Sequence, residues 1–276
     1  MRDRIGIFYN PLSPSAVEFG EELETWIKSE GIATWRGAPQ DVRDIPAPLT
    51  ECSLLVCLGG DGTALRAARV AIPYGTPMLP VALGHLSFMA EVTPEEVRPS
   101  IKRIMANDFW IDERTLAWGR LDAVTGETNE WTALNEILIG RGDLARAIVV
   151  EVSVDNVPMT EYHADGVIVS TATGSTAYAL AAGGPVLDPR SHVLSLVSIA
   201  PHLTNVPALV LHEDAEIRLR LRSRYPASLS VDGQISVPLQ LGDVITVRRS
   251  PEVARFARVR SPEYFYQTLI QRLRRS

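Results

Sequence analysis

The hydrophobic pattern of the chain changes near residue 109, and this change limits the folds that it can adopt. Before that point, short apolar runs such as Ile5–Tyr9 and Ser53–Leu58 alternate with stretches of helical periodicity. Strands that alternate with helices favour a parallel sheet covered on both faces. After that point, runs of strand length follow one another directly, which favours a mainly β domain of two packed sheets. These runs are Thr115–Ala123, Ile148–Val154, Gly166–Ser170, Val193–Ala200, Ile217–Leu221, Leu229–Val231 and Val244–Val247.

The end of the chain returns to helical periodicity, with apolar residues at a spacing of four from Phe265 to Leu273. We therefore predict an α/β N-terminal domain with a parallel sheet over residues 1–108, and a mainly β, sandwich-like domain over residues 109–260. A last helix within residues 261–276 is expected to pack back on the first domain. No linker rich in Gly, Ser or Pro separates the two domains, so we expect them to pack together with a cleft between them.

Composition and charge argue against several classes of function. The net charge of −6 disfavours a nucleic-acid-binding surface, which needs a basic face. No apolar run is long enough to predict a membrane-spanning helix, and the residues after Met1 are typical of a first strand rather than a signal peptide. Cys52 and Cys57 have no Cys or His partners at metal spacing. We therefore expect a cytoplasmic protein that binds neither nucleic acid nor membrane.

The first segment that can carry chemistry is Gly59-Gly60-Asp61-Gly62-Thr63, between a predicted strand and a helix capped by Thr63. Glycines let the backbone approach a ligand closely, and a helix start offers free N–H groups that suit phosphate. A carboxylate at the strand tip is positioned to accept a proton or to hold Mg²⁺. The alternative is an ordinary loop with Asp61 as an N-cap.

The second segment is Leu134-Asn135-Glu136-Ile137, in which two polar residues lie among apolar ones. An amide beside a carboxylate offers the donors and acceptors that suit adenine edges or ribose hydroxyls. Both side chains reach one ligand only if the backbone bends here, because neighbours in a strand face opposite ways. The alternative is a turn or a solvated strand end.

The third segment, Asp165 to Tyr178, is a buried strand that runs into a hydroxyl-rich glycine turn and then a short helix. Small hydroxyls and helix-start N–H groups can form a polar socket, beside which Tyr178 can stack or pack. The alternative is simple helix capping by Ser and Thr, which accounts for one hydroxyl more easily than for several.

These segments, together with Asp232-Gly233-Gln234, occur in the order found in NAD kinases, and the chain resembles that family over essentially its whole length. The Gly-Gly-Asp-Gly motif also occurs in lipid kinases and phosphofructokinases, whereas its combination with the block from Asp165 is specific to NAD kinases. The resemblance implies an enzyme that phosphorylates the 2′-hydroxyl of the adenosine ribose of NAD. The donor would be ATP or polyphosphate, with Mg²⁺ or another divalent cation, and the protein would be a homodimer or homotetramer.

The resemblance also implies roles for individual residues. Asp61 looks like the general base for the 2′-hydroxyl, while Gly62 and Arg66 would lie at the phosphates. The adenine would lie near the Thr173–Tyr178 turn, and Gln234 would close the pocket. No residue is assigned as a metal ligand. The residues implied to bind substrate or nucleotide are Gly60, Gly62, Arg66, Asn135, Glu136, His163, Asp165, Thr173, Ser175, Thr176, Ala177, Tyr178, Ala181 and Gln234. For His163 the alternative is a structural residue in a strand.

The sequence departs from the family pattern at Ala82, Ser87, Ala172 and Val206, where the family usually has Asn, Gly, Pro and Arg. These changes bear on pocket shape, donor preference or subunit contacts, and they leave Asp61 in place. Two alternative functions stay open at this point. One is a diacylglycerol-type lipid kinase, and the other is a non-catalytic NAD(P) sensor with a decayed kinase site.

Overall fold

A computed structural model of the chain describes residues 4–38, 47–84, 87–142, 146–202 and 206–274. It divides into two compact units. Unit 1 comprises Met1–Glu113 and Ala254–Ser276, and unit 2 comprises Arg114–Val253.

The secondary structure follows the change of pattern seen in the sequence. The helices are α1 (Pro14–Ser29), α2 (Ala47–Thr50), α3 (Asp61–Ala71), α4 (Val97–Met105), α5 (Tyr178–Ala181) and α6 (Tyr264–Leu273). The strands are β1 (Arg4–Tyr9), β2 (Ala33–Gly37), β3 (Cys52–Leu58), β4 (Met78–Val81), β5 (Trp110–Asp122), β6 (Thr128–Ala133), β7 (Glu136–Arg141), β8 (Ile148–Val154), β9 (Val157–Ala164), β10 (Gly166–Thr171), β11 (Leu194–Ile199), β12 (Leu209–Leu211), β13 (Ile217–Leu221), β14 (Ala227–Val231), β15 (Ile235–Leu239) and β16 (Val244–Arg258).

Unit 1 has a parallel sheet in the order β2-β1-β3-β4, and the C-terminal part of β16 pairs in parallel with β4. Ile5 and Leu54 pair between β1 and β3 and are buried. Helices cover the sheet, with Leu23 of α1 and Ile101 of α4 in the same buried cluster as the strand residues. The predicted α/β domain with a parallel sheet is confirmed.

Helix α1 begins and ends where local chemistry favours it. The Ser13 side chain accepts a hydrogen bond from the Ala16 N–H, and Pro14 occupies the first turn, as expected of a helix start. Lys28 lies in the last turn, and Gly31 follows with a φ of +81°, which suits a glycine. Within the helix the buried residues recur at helical spacing and include Leu23.

Unit 2 is mainly β. One antiparallel sheet has the order β12-β11-β10-β7-β14-β15, and the second contains β13 between β8 and the N-terminal part of β16, with β9 beyond β8. Inward residues of both sheets share one buried cluster, for example Ile139 of β7, Val169 of β10 and Val152 of β8. Alternate residues face this core, as in a sandwich. The β-rich C-terminal domain is therefore also confirmed.

The last helix, α6, belongs to unit 1 as predicted. Its most buried side chains, however, are Thr268 and Arg272 rather than the apolar residues of the predicted stripe. The Arg272 guanidinium donates from Nη1 to the Phe88 carbonyl at 2.9 Å. Within the described part of the chain, no helix combines the length and apolarity that crossing a bilayer requires.

Candidate active site

The Gly-Gly-Asp-Gly segment forms the turn from β3 into α3, at the carboxyl end of the parallel sheet. Gly59 has a φ of +154°, and a Cβ there would overlap the Thr63 side chain, so the turn requires glycine. The helix starts at Asp61 with Gly60 as its N-cap. The prediction that Thr63 caps it was therefore wrong, because the extended Gly60 already lets its carbonyl accept from the Thr63 N–H at 2.9 Å.

The Asp61 carboxylate is held by the segment that follows β4. Its Oδ2 accepts from the Phe88 N–H at 3.2 Å and its Oδ1 from the Met89 N–H at 3.1 Å. These two bonds fix the direction of the carboxylate. Apart from the chain neighbours and the backbone of α3 itself, no atom of the described residues lies within 4 Å of where a Cβ on Gly60 or Gly62 would be, which leaves room for a ligand at this backbone.

Arg66 lies one turn into α3, on the helix whose N-terminus carries Asp61. Its side chain is half-buried and makes no ion pair or hydrogen bond with any residue that the structure describes. A fixed cation near helix-start N–H groups is an arrangement that binds phosphate. Ser87, one of the departures from the family pattern, accepts from the Ala90 N–H at 3.2 Å. His85 and Leu86, beside it, lie outside the described residues.

In unit 2, Asn135 and Glu136 enter β7 on a backbone that Asp232 holds. The Asp232 carboxylate accepts from the N–H groups of Leu134 at 2.9 Å, Asn135 at 2.7 Å and Glu136 at 3.2 Å. Asp232 is buried in the turn between β14 and β15. This one carboxylate supplies the backbone bend that the paired Asn and Glu require. Gln234, two residues on, is half-buried in the same turn.

The hydroxyl-rich turn packs against the Leu134–Glu136 segment and bonds its carbonyl groups, whereas Asp232 bonds its N–H groups. The Thr171 hydroxyl donates to the Leu134 carbonyl at 2.6 Å, and the Ser170 hydroxyl to the Asn135 carbonyl at 3.2 Å. A Cβ on Gly174 would overlap the Asn135 carbonyl, so only glycine fits there. The structure thus brings the turn, the Asn135-Glu136 pair and the Asp232 turn together, although they are far apart in the sequence.

Part of the hydroxyl block bonds the protein's own backbone, although neither the 3₁₀ turn Gly174–Thr176 nor α5 has a side-chain cap, which was the alternative that the sequence left open. The Ser175 hydroxyl is fully buried, donates to the Ala172 carbonyl at 2.7 Å and accepts from the Leu187 N–H at 3.0 Å. Thr173 is buried as well and accepts from Arg114 Nη1 at 3.4 Å.

Beyond these buried hydroxyls the turn becomes accessible. Thr176 and Ala177 are half-buried, whereas Ala181 and the Tyr178 ring are exposed, the latter by 45%. An exposed aromatic ring beside small residues offers a flat surface on which a base can stack.

Asp165 and His163 do not join this cluster. Asp165 precedes Gly166 of β10, whereas Glu136 pairs with Ser170 at the other end of that strand. Five residue steps along a strand span about 17 Å. Asp165 forms an ion pair with Arg141 at 3.2 Å, and His163 is exposed on β9.

Burial raises the pKa of the Glu136 carboxyl to about 7, and the nearby Asp232 charge adds to this effect. Among the described residues its Oε2 is buried without a hydrogen-bond partner, as is the Asn135 side-chain oxygen. Buried unpartnered acceptors on two consecutive residues are an arrangement that a ligand with hydroxyl or amino donors can complete.

Replacing Glu136 with glutamine is expected to change how stability depends on pH. In the native protein the Glu136 pKa of about 7 lies above its unfolded value of 4.5. The folded state therefore binds more protons between these values, and stability falls as pH rises through that window. Since glutamine cannot ionise, Glu136→Gln should have the higher Tm at pH 8, by a few degrees, and the difference should shrink towards pH 5.

Calorimetric Tm values of both proteins from pH 5 to pH 8 measure this. Glu161→Gln, at an exposed position of the same unit, controls for the loss of a carboxylate. A Tm difference between Glu136→Gln and native protein that is constant over the whole pH range would contradict the assignment.

Three residues that support these sites were missed by reasoning from sequence: Asp232, Arg272, and Arg258, whose Nη1 donates to the Met89 carbonyl at 2.8 Å. Asp232 was read only as part of a turn and of a family motif, and its burial gave no sequence signal. Arg272 follows Thr268 at a spacing of four, and that polar pair on the inward face of α6 was the available signal.

Comparison with known proteins identifies the family that the chain matches. The family model of the ATP-NAD kinase N-terminal domain matches residues 45–109, and that of the ATP-NAD kinase C-terminal domain matches residues 134–259. An NAD kinase of Chloroflexus aggregans is 53% identical over 276 residues, covering 100% of both chains. An NAD kinase of Dehalococcoides mccartyi is 38% identical over 99% of this chain and 97% of that protein.

Solved structures have the same fold. An NAD kinase from Archaeoglobus fulgidus in complex with ATP matches with a TM-score of 0.79 and 25% identity, covering 98% of each chain. A yeast NADH kinase complexed with NADH matches with a TM-score of 0.82 and 24% identity, covering 98% of this chain and 87% of that one.

Proposed function

The chain belongs to the NAD kinase family, and on that basis we propose that it transfers a phosphoryl group to the 2′-hydroxyl of the adenosine ribose of NAD, giving NADP. The family assignment rests on the two domain models and on relatives that match over the full length. The observation that carries the chemistry is the Asp61 carboxylate, held by two N–H groups beside an open glycine backbone. No observation favours a lipid kinase or a sensor.

In this proposal Asp61 is the general base. The 2′-oxygen forms a bond to the terminal phosphorus of the donor, the bond to the leaving phosphate oxygen breaks, and Asp61 takes the hydroxyl proton. A carboxylate is a weak base for an alcohol, so it acts only when it is held against the hydroxyl as that oxygen becomes acidic in the transition state. The two bonds from Phe88 and Met89 support this assignment, because they leave each oxygen a free lone pair.

The donor phosphates are assigned to the start of α3. Gly60 and Gly62 leave room for close approach, the helix N-terminus supplies free N–H groups, and Arg66 supplies a charge that no described residue neutralises. ATP is the donor supported by the related Archaeoglobus fulgidus structure, and polyphosphate remains the alternative. Such transfers rest mainly on positioning and charge neutralisation.

The dinucleotide is assigned to unit 2. Asn135 and Glu136 would bind ribose or base through their unpartnered oxygens. The Thr173–Tyr178 turn, with Ala181, would take the adenine, with Ser175 acting through its internal bonds and Gln234 at the pocket edge. Asp165, about 17 Å away along β10, and His163, exposed on β9, are candidates for a different part of the dinucleotide.

A divalent cation fits this chemistry. It would be carried on the donor phosphates and could be held by one carboxylate such as Asp61. When bound, the ion would neutralise phosphate charge. We also propose a cytoplasmic homodimer or homotetramer, in which the edge strands β12 and β15 are available for pairing.

Purified protein with NAD, ATP and Mg²⁺ is expected to form NADP, which an NADP-specific dehydrogenase detects. Polyphosphate in place of ATP determines the donor, NADH in place of NAD tests the acceptor, and diacylglycerol is the comparison acceptor. Failure to form NADP with any donor, despite measurable NAD binding, would contradict the proposed function.

A further inference from the structure

Arg272 is a buried charge on the last helix, and the activity described above does not account for it. Only 5% of the residue is exposed, and its Nη1 donates to the Phe88 carbonyl at 2.9 Å. Its Nε is buried and has no hydrogen-bond partner in the part of the chain that the structure describes. Burial lowers the pKa of this guanidinium, which reflects the cost of removing its charge from water. A buried charge is costly unless hydrogen bonds or ion pairs compensate it, so the bond to Phe88 is a strong local constraint.

A second buried arginine, Arg258 at the end of β16, contacts the next residue of the same segment. Its Nη1 donates to the Met89 carbonyl at 2.8 Å, and its Nε donates to Asp112 at 3.1 Å. Both partners of that ion pair are almost fully buried. Hydrogen bonds from charged donors at such sites are stronger than neutral ones.

The four contacts converge on two consecutive residues. The N–H groups of Phe88 and Met89 point to the Asp61 carboxylate, and their carbonyls accept from Arg272 and Arg258. These contacts all lie within unit 1. Any movement of this segment would change the direction of both N–H groups, and therefore the direction of Asp61.

We propose that Arg272 is a positioning residue for Asp61, and that with Arg258 it clamps the Phe88–Met89 segment from the carbonyl side. The inference rests on the proposed role of Asp61 as base. It gives the C-terminal helix a part in catalysis without contact with substrate. Small errors of position cost large factors in rate, so this indirect support affects turnover more than binding.

The kinetic test compares Arg272→Gln, Arg272→Lys and the matched control Arg274→Gln, which removes an exposed charge two residues later on the same helix end. Arg272→Gln should lower kcat by about tenfold to a hundredfold, with KM for NAD and ATP within about twofold of native. Lysine should restore part of the loss, because it can still donate to a carbonyl, and the control should match native protein. An unchanged kcat in Arg272→Gln overturns the proposal, and so does an equal loss in Arg274→Gln.

Amide hydrogen exchange provides a measurement that needs no activity. In full-length native protein the Phe88 and Met89 amides should be protected. In Arg272→Gln they should exchange at least about tenfold faster, the effect of weakening a local contact by 1.4 kcal/mol, while β1 and β3 keep native protection. Native exchange at both amides in that variant overturns the proposal even if the protein is an NAD kinase. Faster exchange without NADP formation by native protein would reject the proposed function and leave the clamp standing.

Discussion

Asp61→Ala is expected to lower kcat for NADP formation at least a hundredfold, within the 10² to 10⁴ that general bases contribute. The side chain lies at a helix start and, among the described residues, its bonds are to backbone N–H groups of a neighbouring segment. Its loss therefore removes the proton acceptor while the buried core of unit 1 stays intact. KM for NAD should change much less than kcat, because the assigned base and ribose contacts lie elsewhere.

Asp61→Asn separates the role of this side chain as a base from its role as a hydrogen-bond acceptor for the Phe88–Met89 segment. Asparagine keeps one oxygen for the Phe88 or Met89 N–H but is not a base, so kcat should fall nearly as far as with alanine. Asp108→Asn, which removes an exposed carboxylate of the same unit, is the control and should turn over like native protein. Initial rates at saturating NAD and ATP measure the effect. Turnover by Asp61→Asn within tenfold of native would reject the general-base mechanism while leaving the activity.

The fold could be predicted because burial follows the periodicity of the sequence. Ile148–Val154 and Ile217–Leu221 were predicted with the bounds they have, since alternate side chains in both strands face the core. Val157–Ala164, which forms β9, was not among the predicted runs, because most of its residues are exposed and it owes its place to pairing with β8. The signal that was missed is local, because β8 and β9 form a hairpin whose two-residue turn, Asp155-Asn156, has a positive φ at both residues.

The candidate site could be predicted only in part. The residues around Asp61 form a local motif, because a strand followed by glycines and a helix start can be recognised from consecutive residues. The arginines that hold the Phe88–Met89 segment could not be predicted, because Arg272 is 184 positions away from Phe88 in the sequence. In the hydroxyl block the sequence predicted more ligand contacts than the structure leaves available. Its composition indicated a ligand site, whereas Ser170, Thr171 and Ser175 use their hydroxyls to bond the backbone.

Asp232→Ala is expected to cause the largest loss of stability among the site variants. Three N–H groups of the segment from Leu134 to Glu136 would lose their acceptor inside the protein, and each unsatisfied buried donor costs about 1–3 kcal/mol. Asp232 also has a φ of +53°, a conformation that alanine adopts at additional cost. We expect a loss of at least about 3 kcal/mol, and a Tm lower by about 6 °C or more.

The same change should weaken NAD binding, because the bend that presents Asn135 and Glu136 depends on those three bonds. We expect the Kd for NAD, measured by calorimetry at a temperature where both proteins are folded, to rise at least about tenfold, since 1.4 kcal/mol corresponds to a factor of ten. Asp243→Ala is the matched control. Asp243 is also buried and accepts from the Val124 and Gln240 N–H groups, so its loss should cost stability without moving the Asn135-Glu136 pair. If both variants lose NAD affinity equally, the effect is general destabilisation and Asp232 has no specific part in the site. Loss of affinity in Asp232→Ala alone would make this turn the support of the dinucleotide pocket.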